Sequence, residues 1–219
     1  MKPPSSGDLL AGELDKVQAL AQKGTPPLPT GPYSVIVADP PWQYYKNPGA
    51  NGPGAGQGGI PENIYPTMSA DMIRDLPVNT ITAPDAHLFM WVTNPKMFGG
   101  DLLPRVSPHD IIKAWGFEYK TIITWVKVTK NGVIIPNGLG HYFRGATEHV
   151  LYAKRGRAII PKEHRLPNAF MAPRGKHSQK PLTFFDIVEH ATQGTAGKRL
   201  EMFAREPRAG WDVWGNEVC

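Results

Sequence analysis

The sequence predicts an α/β fold of three layers, with helices on both faces of a mainly parallel sheet, and three observations lead there. Short apolar runs of strand length alternate along the chain with segments patterned as helices. The first such run, Ser34-Val35-Ile36-Val37-Ala38, ends on Asp39-Pro40-Pro41-Trp42, and prolines, which lack a donor N–H, cannot continue a central strand. At 219 residues the chain is long enough for one full domain with a sizeable core and too short for two.

Residues 1–32 read as an N-terminal extension and 33–219 as the domain. In the extension Leu10, Leu14, Val17 and Ala21 recur at helical spacing, so Asp8 to Gln22 is expected to form a helix, followed by a semi-rigid spacer, Gly24-Thr25-Pro26-Pro27-Leu28-Pro29. After the Asp-Pro-Pro-Trp turn, Gln43 to Pro61 contains a glycine-rich stretch over 51–59 with almost no side chain to pack. It reads either as a lid over a site or as a surface insertion. Ser69 is placed to cap a short helix, Ala70 to Leu76. His87-Leu88-Phe89-Met90-Trp91-Val92-Thr93 reads as the second buried strand, Pro108 to Trp115 as a helix ended by Gly116, and Tyr119 to Lys127 as a third strand. A loop with Asn131-Gly132 and Asn137-Gly138 leads to a fourth strand, Glu148 to Ala153. Leu182 to Ala191 follows as an amphipathic helix, then Lys198 to Arg205 and Trp211 to Asn216 as the last strands.

The single cysteine, Cys219, excludes an internal disulfide and a cysteine-rich zinc site, and a reducing, cytoplasmic location fits. No stretch approaches the ~20 apolar residues of a membrane span. His141, Glu148, His149 and His164 match no metal-ligand spacing, so no metal is expected. The formal charge of +5 suits a polyanionic partner, and its distribution says more. Lys154, Arg155, Arg157, Lys162, Arg165, Arg174, Lys176 and Lys180 face a single acid, Glu163, over one stretch, which reads as a surface for nucleic-acid phosphates. Arg155, Arg157, Arg174, Lys176 and His177 are the candidate contacts, with Tyr44 and Tyr65 as aromatics on which a base could stack.

An acid at the carboxyl end of a buried strand lies where open α/β sheets bind ligands. Asp39 and the carbonyls of Pro40 and Pro41 are acceptors at close range, and an aromatic, Trp42, stands beside them. That set suits methylation of an exocyclic amine, whose N–H groups must be held while the nitrogen lone pair faces an electrophile. A methyl donor such as S-adenosylmethionine needs a carboxylate for its ribose diol, a cation for its own carboxylate and an amide near its adenine. Glu201, Lys180 and Asn216 meet those needs in turn.

Asp39-Pro40-Pro41-Trp42, Tyr65-Pro66-Thr67-Met68-Ser69, Leu88 to Thr93, Trp125-Val126-Lys127, Gly140-His141-Tyr142, Glu148-His149, His177-Ser178-Gln179-Lys180-Pro181, and Glu201 to Arg205 through Trp211 to Gly215-Asn216 follow one another in an order that resembles the MT-A70 family of N6-adenine methyltransferases. The resemblance covers residues 33 to 217. It implies a Rossmann-like class I methyltransferase in which the catalytic motif precedes the cofactor-binding strand. By resemblance, Asp39, Pro40 and Trp42 hold the target base, with Pro41 in the same catalytic motif. Asp39, Lys180, Glu201, Phe203, Arg205, Asn216 and Glu217 line an S-adenosylmethionine pocket. The expected activity is methyl transfer to adenine N6 in nucleic acid, DNA before RNA, with a non-catalytic nucleic-acid-binding subunit as the competing reading. Set against the family pattern, no substantial extra domain for target recognition is expected within these 219 residues. This leaves low sequence specificity, a homodimer or a partner subunit open.

Overall fold

The computed structural model describes residues 26–43, 67–98, 106–138, 140, 142–175 and 179–218. The expected N-terminal helix and the glycine-rich stretch lie outside the described residues. Seven strands form one sheet in the order β5-β3-β4-β2-β1-β6-β7. They are β1 (Tyr33–Ala38), β2 (Thr82–Val92), β3 (Glu118–Val128), β4 (Thr147–Arg155), β5 (Ala169–Pro173), β6 (Lys198–Met202) and β7 (Asp212–Trp214). β1 pairs in parallel with both β2 and β6, β6 with β7, and β3 with β5, while β4 runs antiparallel to both β2 and β3. The sheet is therefore mainly parallel, as expected, with one reversed strand in its middle.

β1 is buried over its whole length because it is covered on both faces. Ile36 and Ala38 join Leu88, Met90, Leu200 and Met202 on one face, beneath α1 (Ala70–Arg74), α2 (Val78–Ile81) and α3 (Pro108–Ala114). Val35 and Val37 join Phe89, Trp91, Trp125 and Val150 on the other, beneath Phe184, Phe185 and Val188 of α4 (Leu182–Ala191). The strand's period of two thus divides one apolar run between two cores.

Local chemistry sets the ends. The Ser69 hydroxyl accepts from Met72 N and caps α1. Ser107 and Asp110 form a reciprocal capping box at α3, and Gly116 takes a φ of 82° just beyond it. β5 and the single turn of α2 were not anticipated, and α1 stops at Arg74 rather than Leu76. β5 lies in the basic stretch just after Pro167 and ends on Pro173, which is tolerated there because β5 is an edge strand. No helix among the described residues is long and apolar enough to cross a membrane.

Candidate active site

β1 is the strand at which the sheet order turns, with β2 on one side and β6 on the other, so the connections leaving its carboxyl end diverge. Asp39 sits there, its amide donating to Met202 O of β6 at 3.4 Å. The next residues close a tight turn. Trp42 N donates to Pro40 O at 2.8 Å, Met68 N donates to Pro41 O at 2.8 Å, and Gln43 N donates to Met68 O at 3.1 Å. Pro40 O keeps one lone pair for a ligand, in a direction fixed by the turn. The Pro41 carbonyl serves to tie the turn to Met68. Trp42 differs from expectation. Only 6% exposed, it lies in the core and donates its indole N–H to Trp91 O at 3.2 Å, so it anchors the turn and offers a base almost no stacking face.

The charges at this edge form a chain of four. Lys180 Nζ donates to Asp39 Oδ2 at 2.7 Å and stands 3.5 Å from Glu148 Oε2, while Lys127 Nζ donates to Glu148 Oε1 at 2.7 Å. Lys180 Nζ also lies 5.1 Å from the centre of the Trp91 ring. Burial pulls the Lys180 ammonium down, but Asp39 and Glu148 outweigh it and raise the group above its ordinary value. Burial works to raise Glu148, yet the two lysines hold its carboxyl below the usual range. Asp39 goes the other way: burial raises it, and Lys180 offsets only part of that. The sequence assigned Lys180 to the cofactor's carboxylate alone. Here its first commitments are to Asp39 and Glu148, with one of its three N–H groups left for a ligand. Glu148 and Lys127 were missed as site residues; the only signal was their presence in short motifs, and their charges pair across 21 positions of chain.

β6 and β7 build the adjoining wall. Glu201 is in register with Val37 and its carboxylate accepts from Arg208 Nε at 2.9 Å; burial raises its pKa against the pull of Arg208. Phe203 takes a φ of 63°, unusual for a residue with a Cβ, and its ring meets Trp214 edge-on at 5.2 Å. Ala204 N donates to Trp214 O at 3.0 Å, and a Cβ at Gly215 would collide with the Ala204 carbonyl oxygen, so the two strand ends approach at backbone distance. Arg205 Nε lies 3.5 Å from Glu217 Oε1, and Asn216 is exposed beside them. This set fits a methyl donor that carries a carboxylate, a ribose diol and a positive sulfonium: the remaining Lys180 N–H suits the first, Glu201 the second, and the paired acids Asp39 and Glu148 the third. Among the described residues no three His, Cys, Asp or Glu side chains are grouped to hold a metal.

The basic stretch is divided by the sheet. β4 runs backward, so Glu148 at its start lies on the Asp39 edge and Arg155 at its end lies on the opposite edge, paired in register with Ala86 at the foot of β2. There Arg155 donates to Asn79 O at 3.1 Å and Arg157 N donates to Asp85 Oδ1 at 2.6 Å. These two arginines therefore do not join the site, contrary to the sequence expectation. Arg174 leaves the carboxyl end of β5, on the Asp39 edge, and is exposed. Tyr44, Tyr65, Lys176 and His177 lie outside the described residues.

A family model described as MT-A70 matches residues 33–217. The type II methyltransferase M.MunI of Mycoplasma sp is 34% identical over 88% of this chain and 81% of its own length. The N6-methyladenosine RNA methyltransferase MTA1 of Cryphonectria parasitica is 30% identical over 85% of this chain but only 52% of its own. The human N(6)-adenosine-methyltransferase catalytic subunit METTL3 is 26% identical over 86% of this chain and 28% of its own. The chain thus spans most of the bacterial relative and about a quarter to a half of the others.

Proposed function

The chain belongs to the MT-A70 family of S-adenosylmethionine-dependent N6-adenine methyltransferases, and we propose that its own target is the N6 amine of adenine in DNA. The observation that carries the reading is Asp39, a carboxylate fixed at the end of a buried central strand with Lys180 at 2.7 Å. In support of DNA, the relative whose length this chain nearly spans is a type II methyltransferase. RNA is the second reading, favoured by the RNA methyltransferase relative. A non-catalytic subunit would have no need of both Asp39 with its lysine and Glu201 in its wall.

S-adenosylmethionine supplies a methyl group on a positive sulfonium, an electrophile that needs no metal for activation. The chain's residues position the amine. Lys180 holds Asp39 Oδ2, which leaves Oδ1 to accept one N–H of the amine, and the free lone pair of Pro40 O accepts the other. Holding both N–H groups turns the nitrogen lone pair out of the ring plane and toward the methyl carbon. Accepting the methyl group would leave positive charge on the amine nitrogen. Asp39 binds that charge more tightly than the neutral amine. The proton then leaves to Asp39, whose carboxyl burial has already raised. An adenine in duplex DNA must leave the stack to reach this edge. Transfer of labelled methyl to matched single-stranded DNA, duplex DNA and RNA, with the product nucleosides identified by mass, tests the reading. N6-methyladenine in DNA is the expected product; methylation of RNA alone would replace the substrate.

A further inference from the structure

The loop that joins β3 to β4 presents two adjacent aromatics to solvent: Tyr142 is 97% exposed and Phe143 is 90% exposed. Each could have folded back on its neighbours, and burial of such a ring is ordinarily favourable. The backbone beside them folds tightly instead. Its neck is pinched where a Cβ at Gly138 would collide with the Gly145 carbonyl oxygen and one at Gly140 with the Phe143 carbonyl oxygen. Arg144 closes the same turn by donating to Gly140 O at 3.3 Å. Both rings face outward beside this turn.

Its position is fixed by the reversed strand. Because β4 runs antiparallel to β2, the residues entering β4 rise from the same sheet edge as Asp39. Glu148, which stands 3.5 Å from Lys180, comes five residues after Phe143, so the Cα atoms of the two are at most about 18 Å apart. The charge of the loop points to the occupant. Residues 129–146 contain Lys130 and Arg144 and no acid, within a chain of net charge +5. Exposed rings on a cationic loop without acids suit a strand that carries both π faces and phosphates.

We propose that Tyr142 and Phe143 are a stacking platform for the DNA bases that flank the target adenine, holding the strand against the Asp39 edge while Arg144 meets its phosphates. The platform rests on the DNA reading above and adds residues that take no part in the transfer chemistry. Because neither ring is packed, alanine at both positions leaves the fold intact, which a thermal melt verifies.

The test measures binding of a fluorescein-labelled single-stranded DNA by anisotropy over a range of salt. The wild type is compared with Tyr142→Ala/Phe143→Ala and with Tyr142→Trp/Phe143→Trp. The double alanine variant should lose about tenfold or more in affinity with an unchanged salt slope, because stacking is lost and phosphate contacts are not. The double tryptophan variant should retain it. Unchanged affinity in the alanine variant overturns the proposal. So does a wild-type dimer that the variant converts to monomer at constant DNA affinity, since the rings would then serve a protein interface. The wild-type product assay is read separately. N6-methyladenine in DNA with unchanged affinity sinks the platform alone, while loss of affinity without any DNA product sinks the substrate reading alone.

Discussion

Replacing Glu148 with glutamine removes one charge from the middle of the Asp39–Lys180–Glu148–Lys127 chain while preserving shape. Glu148 lies 3.5 Å from Lys180 and 2.7 Å from Lys127, and all three side chains are mostly buried. At the effective dielectric of such sites, about 20, a pair at that spacing attracts by about 4–5 kcal/mol before the cost of taking the charges from water. Removing one partner of a buried pair typically costs about 3–5 kcal/mol, and a glutamine that keeps one acceptor should fall at the low end. Urea denaturation at pH 7 should therefore show Glu148→Gln less stable by about 3 kcal/mol. Its pH dependence should change too. A carboxyl held below its ordinary value stabilises the fold above the usual carboxylate range and loses that contribution as pH falls through the depressed value. Wild type should thus lose more stability in acid than the variant does. Function is the second readout. With Glu148 neutral, the pull of Lys180 falls on Asp39 alone and weakens its hold on the charge that grows on nitrogen, while the sulfonium loses one of its two acids, so kcat should fall about tenfold and cofactor affinity should weaken as well. Lys127→Met, which touches the chain only through Glu148, should lose stability with a smaller fall in kcat. Wild-type stability and wild-type kcat in Glu148→Gln would show that the Lys180–Glu148 contact carries no weight.

Three further outcomes follow from the same structure. Asp39→Asn keeps the shape of the acceptor but not its charge, and transfer should fall by about 100-fold or more while calorimetry still detects cofactor binding; normal turnover would remove Asp39 from the chemistry. His87, 1% exposed and bonded to the Tyr152 hydroxyl at 2.9 Å, has its pKa lowered by burial and by Lys154 from 6.5 to about 4. The unfolded chain binds that proton first, so stability is lost as pH falls from 6.5 toward 4, by about 2 kcal/mol between pH 7 and 5; equal pH slopes in wild type and His87→Gln would refute this. Arg155→Gln/Arg157→Gln should leave DNA affinity within about twofold in an anisotropy titration, since both lie on the edge away from Asp39; a clear loss with a shallower salt slope would place DNA there.

Much of the fold was legible because it rests on local pattern. A continuous apolar run that ends on two prolines reads as a covered strand and a turn, and β1 is that. Ser69 marks a helix start through a hydrogen bond spanning three residues, a distance that sequence displays directly. β5 was hidden because its inward residues, Phe170 and Ala172, are a short alternation inside a basic stretch. The aromatic of the central turn was misjudged for a different reason. Trp42 beside Asp39 invites stacking on a base, and only the tertiary contact with Trp91 O shows that its ring faces inward.

The larger departures have one cause. Side-chain alternation has period two whichever way a strand runs, so nothing in residues 147–155 declares the sense of β4. The excess of cations over Lys154 to Lys180 marks Arg155 and Arg157 as phosphate contacts but carries no information on the edge of the sheet to which they are delivered; a parallel β4 would set them beside Asp39 and Glu148 at the foot of the sheet. Reversal exchanges them. Glu148 arrives beside Lys180, a residue whose contact with Asp39 spans 141 positions and so has no trace in local spacing. Arg155 goes instead to the Asn79 carbonyl at the far edge. The same reversal brings the loop before β4, with Tyr142 and Phe143 at its tip, to the catalytic edge. A single strand direction therefore sets the partner of Lys180, carries Arg155 and Arg157 to the far edge and brings the Tyr142–Phe143 loop to the Asp39 edge. These three consequences stand or fall together, and the paired outcomes for Glu148→Gln, the Arg155 and Arg157 variant and the Tyr142 and Phe143 variant test that direction at both edges of the sheet.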